Sequence, residues 1–205
     1  MTGDDDRRLI ALDVDGTLIG SSGQIPLVTL NALERIKSRG HILTIVTGRG
    51  LPRLRQALGV RGIQLFGTTS LVAVEQGTRL ITLDAQREVH HERLGVASMV
   101  EFLSGLPVKH IEFVAYHPRR TPLWSCIWTP NTSAVQALRV RMSNADVITS
   151  SPEDLYVTVS HDEPSMIVVR ALSTAAFSGI EGTWHAGLNA TLVAGRETKG
   201  HALRH

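Results

Sequence analysis

The sequence has little of what disulfide bonding, nucleic-acid binding or membrane insertion requires. Cys126 is the only cysteine among 205 residues, which excludes an intrachain disulfide and a cysteine zinc cluster and fits a reducing, cytoplasmic compartment. The formal net charge is only +2, and the basic residues form no clustered stripe, so we expect no nucleic-acid partner. The apolar runs are too short for a signal-peptide core or a membrane span, so we expect no membrane association.

A strand, a helix and a second strand are predicted near the N-terminus. The apolar run at residues 9–14 predicts a strand buried on both faces. Apolar residues at helical spacing follow Pro26 and predict a helix that ends at Gly40. A second apolar run follows at residues 42–46, so two parallel strands are joined by a helix. The pattern predicts an α/β fold with a parallel sheet.

The pattern changes beyond the second strand. Residues 52–58 predict another helix, and short strands are predicted at residues 63–66, 71–74 and 79–83, with a tight turn at Gln76-Gly77. Helical stretches at 92–103 and 132–142 then alternate with β-rich stretches at 108–116, 123–128, 155–159, 166–169 and 191–194. We therefore predict a second, α+β domain.

An acidic pair, Asp13 and Asp15, ends the first predicted strand. Open α/β sheets place ligands at this end of their strands. Carboxylates at i and i+2 project to the same side if the strand persists, where they can share a cation or divide nucleophilic and acid/base work. Gly16 lets the chain turn and exposes backbone N–H groups to a phosphate. Two simpler readings stay open, a turn after a strand and the metal-binding Asp-x-Asp of a glycosyltransferase.

Two further positions complete the candidate site. Thr47 and Gly48 follow the second strand and would lie beside Asp13 if the strands are neighbours, where the Thr47 hydroxyl and the Gly48 N–H can bind a phosphoryl oxygen. A helix N-cap or turn threonine is the alternative. Lys199 can neutralise charge around a carboxylate and a phosphate, although an isolated surface lysine is the commoner case.

Three segments together resemble the haloacid dehalogenase superfamily. LIALDVDGTLI resembles its first motif, ILTIVTGR its second and ETKGHAL its lysine-bearing third. The large insert between the second and third motifs resembles the Cof-like phosphatases, which act mostly on small phosphorylated metabolites. The resemblance implies a Rossmann-like parallel-sheet core with an inserted α+β cap: core over residues 1–83, cap over 84–194 and a return to the core over 195–205.

The resemblance also implies a role for each residue of the site. Asp13 would attack phosphorus and form an aspartyl-phosphate, and Asp15 would protonate the leaving alcohol and then activate water. Thr47 would hold a phosphoryl oxygen, with Gly16, Thr17 and Gly48 also binding substrate, and Lys199 would orient Asp13. Mg²⁺ would bind the Asp13 side chain and the Asp15 backbone carbonyl. Such a site suits phosphoryl transfer, which depends on positioning and charge neutralisation.

The sequence departs from the family in two places. The usual Asn-Gly pair after the second motif is expected near residues 67–70, which read Gly-Thr-Thr-Ser. The fourth motif, which completes the magnesium site, is expected beyond Lys199, where the sequence given reaches His205. We expect such a chain to have an exposed sheet edge, marginal stability or self-association, weak magnesium binding and slow turnover. The alternative function is a catalytically impaired phosphate-binding or interaction module.

Other polar and aromatic residues have simpler explanations. His201 and His205 have helical metal-pair spacing without a third ligand, and His90 and His91 are predicted to point to different faces. We expect Trp124 and Trp128 to share one face of a strand and pack in the cap core, with a substrate platform as the alternative. Arg119 and Arg120 are expected in a solvated loop, or in contact with an anionic substrate.

Overall fold

The computed structural model describes residues 7–20, 23–142, 145–173, 176 and 184–194, with the backbone alone for residues 184–186. The chain divides into two compact units, the first extending to His91 and the second beginning at Glu92. The boundary between the units lies later in the chain than residue 83, where the sequence predicts that the first part of the core ends. The reason is that the strand Glu88–His91 pairs with the first unit.

The first unit contains five strands and two helices among its described residues. In chain order they are β1 (Leu9–Leu12), α1 (Leu27–Ser38), β2 (Ile42–Ile45), α2 (Leu51–Phe66), β3 (Leu71–Val74), β4 (Arg79–Thr82) and β5 (Glu88–His91). β1 and β2 are parallel, with Leu12 opposite Ile45. A parallel bridge from Val46 to Ala73 places β3 on the other side of β2. The predicted parallel sheet is confirmed.

The prediction that β1 is buried on both faces is wrong. Leu9 is 56% exposed and Ala11 is also exposed, whereas Ile10 and Leu12 are partly buried. Leu9 and Ala11 lie on the face of β1 that the described residues leave uncovered, and β2 is the only described strand that pairs with β1. An apolar strand is therefore left at the edge of the described sheet.

The two helices pack their apolar faces on this sheet. α1 follows Pro26 as predicted, buries Leu30 and Leu33, and is followed by Gly40 at φ +89°, a left-handed conformation that favours glycine. α2 is longer than predicted and has an irregular residue at Gly59. The strand predicted at residues 63–66 is wrong, because its apolar residues continue the buried face of α2 that includes Leu54, Leu58 and Leu65.

A 3₁₀ turn at Glu75–Gly77 connects β3 to β4 and confirms the turn predicted at Gln76-Gly77. β3, β4 and β5 form an antiparallel sheet, with Leu71 opposite Thr82 and Arg79 opposite His91. β5 was not predicted, since its sequence Glu-Val-His-His offers little apolar signal. The turn joins the carboxyl end of β3 to the amino end of β4, so it lies at the same edge of the sheet as the loops that follow β1 and β2.

The second unit is a mixed sheet with helices, as predicted for the α+β domain. Its elements are α3 (Val96–Ser104), β6 (Ile111–Tyr116), β7 (Ser125–Trp128), α4 (Val135–Arg141), β8 (Ala145–Ile148), α5 (Pro152–Asp162), β9 (Met166–Ala171), β10 (Trp184–Ala186) and β11 (Asn189–Val193). The strand order is β10-β11-β9-β6-β7-β8. The neighbours pair antiparallel except β7 and β8, which are parallel.

The strand predicted at residues 155–159 is wrong, because these residues lie within α5. Ser151 and Asp154 form a capping box, and Pro152 occupies the first helical turn. Leu155 and Val159 are both buried, as residues four apart on one helix face can be. The capping residues outweigh the β-branched content that suggested a strand.

Each unit has its own apolar core. Val14, Ile45, Leu54 and Val74 belong to the core of the first unit, whereas Phe102, Trp128, Val159 and Ile167 belong to that of the second. In the described part of the chain, no helix combines the length and apolar character that crossing a membrane requires.

Candidate active site

The acidic pair lies on a tight loop at the carboxyl end of β1. Val14 is fully buried and anchors this loop, because its carbonyl oxygen accepts hydrogen bonds from the Leu18 and Ile19 N–H groups at 3.0 Å each. Asp13 is partly buried and Asp15 is exposed. The buried valine between them therefore fixes the backbone from which both carboxylates project.

Gly16 makes the turn that the sequence predicts, with φ +73°. Its N–H, however, donates to the Ile19 carbonyl oxygen at 3.0 Å, and the Thr17 N–H lies 3.4 Å from the Val14 carbonyl oxygen. The prediction that this turn exposes its N–H groups to a phosphate is therefore wrong for Gly16 in this conformation, because the loop closes on itself. Thr17, the next residue of the loop, is exposed.

Thr47 lies at the carboxyl end of β2 and is completely buried. Its N–H donates to the Ala73 carbonyl oxygen at 2.9 Å, and its Oγ1 accepts the Arg49 N–H at 3.2 Å. α2 begins later, with Gly50 as its N-cap residue. Thr47 is therefore a turn threonine and not a helix N-cap, and its hydroxyl proton can still donate a hydrogen bond.

Arg49 joins the loops that follow β1 and β2. Its Nε donates to Asp15 Oδ2 at 2.9 Å, and its Nη2 donates to Asp15 Oδ1 at 2.6 Å. This hydrogen bonding raises the pKa of the Arg49 guanidinium, against the opposing effect of burial. A bidentate, charge-assisted pair thus brings together the two loops that carry the first and second motifs.

The 3₁₀ turn after β3 forms the next part of the site. The Glu75 N–H donates to the Arg49 carbonyl oxygen at 2.9 Å, and the Gln76 N–H donates to the Thr47 carbonyl oxygen at 3.1 Å. The Gln76 side chain covers Gly48 so closely that a Cβ atom at Gly48 would lie 2.5 Å from Gln76 Nε2. A side chain at position 48 would therefore displace the Gln76 amide group from its place over the second-motif loop.

The geometry also shows where the stretch expected to carry the usual Asn-Gly pair lies. The expected stretch at residues 67–70 precedes β3 and lies at its amino end, away from the loops that follow β1 and β2. Gln76-Gly77 follows β3 at its carboxyl end and contacts the second-motif loop. The Gln-Gly turn itself is predicted from the sequence, whereas its contact with the second-motif loop is not.

The structure brings the residues of the first two motifs together. Asp13, Asp15, Gly16 and Thr17 follow β1, whereas Thr47 and Gly48 follow its parallel neighbour β2. Lys199, His201 and His205 lie outside the described residues. Arg49 and Gln76 are additional members of the site that the sequence analysis did not assign.

The donors of this site fit a hard divalent cation in type. Carboxylate and carbonyl oxygens are the ligands that Mg²⁺ prefers. Because the Asp15 carboxylate is engaged by both arms of the Arg49 guanidinium, the Asp13 side chain and the Asp15 backbone carbonyl are the better candidate ligands. Among the described residues, no cluster of three or more His, Cys, Asp or Glu side chains suits a metal ion.

The remaining sequence candidates differ in their burial and in their contacts. Trp124 precedes β7 and is 47% exposed, whereas Trp128 is buried and its Nε1 donates to the Ser150 carbonyl oxygen at 3.2 Å. The prediction that both tryptophans share a strand face is therefore wrong, although core packing is confirmed for Trp128. Arg119 forms an ion pair with Glu163 at 3.3 Å, and Arg120 is exposed.

Known proteins resemble this chain in sequence and in fold. A family model described as haloacid dehalogenase-like hydrolase matches residues 10–167. An HMP-PP phosphatase from Yersinia enterocolitica is 35% identical over 101 residues, which cover 49% of this chain and 34% of that protein. The chain thus spans about a third of the length of this curated relative.

Solved structures show the same fold at low sequence identity. A haloacid dehalogenase-like hydrolase from B. subtilis aligns with a TM-score of 0.66 and 21% identity, covering 96% of this chain and 76% of that one. A sugar phosphatase of subclass IIB of the superfamily aligns with a TM-score of 0.67 and 18% identity, covering 97% and 74%. These similarities establish a Rossmann-like α/β core with a cap domain.

Proposed function

The chain belongs to the haloacid dehalogenase-like hydrolase family, whose model matches more than half of its length, and from this premise we propose that it is a phosphate-monoester hydrolase. The observation that carries the proposal is the meeting of two loops at the carboxyl ends of neighbouring parallel strands, joined by the 2.6 Å contact between Arg49 and Asp15. Asp13, Asp15 and Thr47 follow the carboxyl ends of these strands, where open α/β sheets bind ligands, and this supports a role for all three.

Asp13 is the proposed nucleophile. One of its carboxylate oxygens forms a bond to phosphorus, and the bond between phosphorus and the ester oxygen breaks. The products of this step are an aspartyl-phosphate and the leaving alcohol. Partial burial supports the role, because it limits the water that competes for the carboxylate.

Asp15 is the proposed acid and base. It gives a proton to the departing ester oxygen in the first step, and in the second step it takes a proton from the water that attacks the aspartyl-phosphate. Inorganic phosphate leaves and Asp13 is regenerated. Asp15 needs to leave the bidentate pair with Arg49 before it carries a proton, so this role requires that the pair opens during turnover.

Thr47, Lys199 and a magnesium ion are proposed to neutralise the phosphoryl group. The Thr47 hydroxyl donates to a phosphoryl oxygen, with Thr17 and Gly48 beside it, and Lys199 orients Asp13. Mg²⁺, held by the Asp13 side chain and the Asp15 backbone carbonyl, would supply charge stabilisation for the transferring group when bound. Oxygen ligands at this loop support that assignment.

The proposed substrate is a small phosphorylated metabolite in the cytoplasm. The names of the HMP-PP phosphatase and of the sugar phosphatase support this class. The single cysteine and the absence of a basic stripe support the compartment and argue against a nucleic-acid partner. The exposed Leu9 and Ala11 on β1 support association between copies through the sheet edge.

The test is the magnesium-dependent hydrolysis of para-nitrophenyl phosphate by the full-length protein and its Asp13→Asn variant. The amide cannot form the acyl-phosphate bond, so we expect a rate loss of at least about 10⁴-fold with an unchanged melting temperature. Chelation of magnesium should produce a comparable loss in the parent protein. Equal rates in variant and parent would refute the nucleophile, and phosphate binding without turnover would support the interaction module instead.

A further inference from the structure

A buried cluster of charged side chains lies next to the candidate site in the first unit. The Arg79 and Glu75 side chains are each only 1% exposed, and Arg79 Nη1 lies 3.4 Å from Glu75 Oε1. Arg79 Nε also donates to Glu88 Oε1 of β5 at 2.8 Å. A guanidinium buried this deeply is strongly destabilising without partners, so the two carboxylates fix its position and it fixes theirs.

Glu75 belongs to a strained turn. Glu75 and Gln76 have φ values of +54° and +65°, a region that residues with a Cβ atom seldom adopt. Such a conformation persists where the surrounding structure over-determines it. Here the Glu75 carbonyl oxygen accepts the Thr78 hydroxyl at 2.6 Å, while the Glu75 side chain is held by Arg79.

The same turn is hydrogen-bonded to the second-motif loop, residues 47–49. The Glu75 and Gln76 N–H groups hold the Arg49 and Thr47 carbonyl oxygens, at 2.9 Å and 3.1 Å. Both carbonyl groups belong to residues of the candidate site, Thr47 and Arg49. A shift of the turn therefore moves the Thr47 hydroxyl and the Arg49 guanidinium together.

We propose that Arg79 is a positioning residue for the second-motif loop, acting through Glu75 and the strained turn. The Arg79 guanidinium is engaged by Glu75 and Glu88, so its effect on turnover passes through the turn. The inference rests on the proposed phosphatase function for its effect on rate. The part of the inference that concerns structure, namely that Arg79 stabilises the turn, does not depend on that function.

The experiment compares Arg79→Met and Arg79→Lys with a matched control, Arg61→Met. Arg61 also pairs with a glutamate of the first unit, Glu34 at 3.2 Å, but both side chains are about half exposed. We measure kcat and KM with para-nitrophenyl phosphate and magnesium in the full-length protein. Amide hydrogen exchange at Glu75 and Gln76 is followed in the same samples, with helix α1 as the internal reference.

We expect Arg79→Met to lower kcat by roughly 10²-fold, the loss that a shift of about 1 Å in a positioned group produces. KM should change much less, and exchange at Glu75 and Gln76 should accelerate while α1 is unchanged. Arg79→Lys keeps the charge but loses the planar fork, so we expect a smaller effect in the same direction. Arg61→Met should match the parent in kcat, in KM and in exchange at Glu75 and Gln76.

Two results would overturn the inference. The first is unchanged exchange at Glu75 and Gln76 in both Arg79 variants, and the second is faster exchange there with an unchanged kcat. If Arg79→Met does not fold, Arg79→Lys decides the question by the same two measurements. If the parent itself hydrolyses no phosphate ester, the proposed function fails, whereas the exchange data still decide whether Arg79 holds the turn.

Discussion

Substitutions of Thr47 separate its structural role from the role proposed in catalysis. Thr47→Val keeps the shape of the side chain and removes the hydroxyl, whereas Thr47→Ser keeps the hydroxyl and removes a methyl group. Thr47 is completely buried, so both changes are felt by closely packed neighbours. The two variants are therefore matched in size of perturbation and differ in the one group that matters to the chemistry.

The expected losses follow from the contacts of Thr47. In Thr47→Val the Arg49 N–H loses the Oγ1 acceptor at 3.2 Å, which costs about 1 kcal/mol. In Thr47→Ser the lost buried methyl group also costs about 1 kcal/mol. In a chain of this length each corresponds to a fall in melting temperature of about 2–4 °C. Removal of a hydrogen-bond donor to the transferring group lowers the rate by about 10²–10³-fold, and only in Thr47→Val.

The assay is steady-state hydrolysis of para-nitrophenyl phosphate with magnesium, together with thermal melts of the parent and both variants. We expect similar melting temperatures for the two variants and a low kcat for Thr47→Val alone. A Thr47→Val variant with nearly parental kcat would refute the donor role. Equal rate losses in Thr47→Val and Thr47→Ser would show that Thr47 matters through packing and not through its hydroxyl.

Two further predictions concern a proton transfer and a buried phenol. The Asp15→Asn variant should release the leaving group of an aryl phosphate in a rapid burst and then turn over slowly, because this leaving group needs no proton but the water step still needs a base. An alkyl phosphate should give no burst, because its leaving group needs the proton. Equal behaviour of the two substrates would contradict the acid role. Burial raises the pKa of Tyr116, whose hydroxyl also donates to Asp162 Oδ2 at 2.8 Å. The folded protein thus keeps a proton that the unfolded chain releases near pH 10, so stability should fall as pH rises above about 10. Melting temperatures between pH 8 and 11 should fall less steeply in Tyr116→Phe, and parallel curves would refute this.

The local pattern of the N-terminal segment was sufficient to predict the parallel β1 and β2, the helix α1 between them and the acidic loop after β1. These elements carry strong signals of their own: short apolar runs for the strands, helical spacing between Pro26 and Gly40, and an Asp-x-Asp-Gly sequence at a strand end. Their prediction does not depend on contacts between residues that are distant in the sequence. The family resemblance, which the family match confirms, rests partly on the same segments and partly on the lysine-bearing third motif.

Elements without a periodic signal were mispredicted because competing local features decided them. The apolar residues of 63–66 and 155–159 suit a strand or a helix equally well by composition. Continuation of α2 and the capping box at Ser151 made both of them helical. β5 was missed because its polar residues show no strand alternation, although they lie opposite β4 in the sheet.

By itself, the sequence determined which residue types are available for phosphoryl chemistry and their order along the chain. Only the tertiary structure decided which of them meet. The Arg49 contact with Asp15 depends on β2 lying beside β1, and the cover of Gly48 by Gln76 depends on β2 lying beside β3. The contact of Arg79 with Glu88 depends in the same way on β4 lying beside β5. Such contacts join side chains across a sheet, and their geometry is set by strand order and register, which local periodicity does not encode.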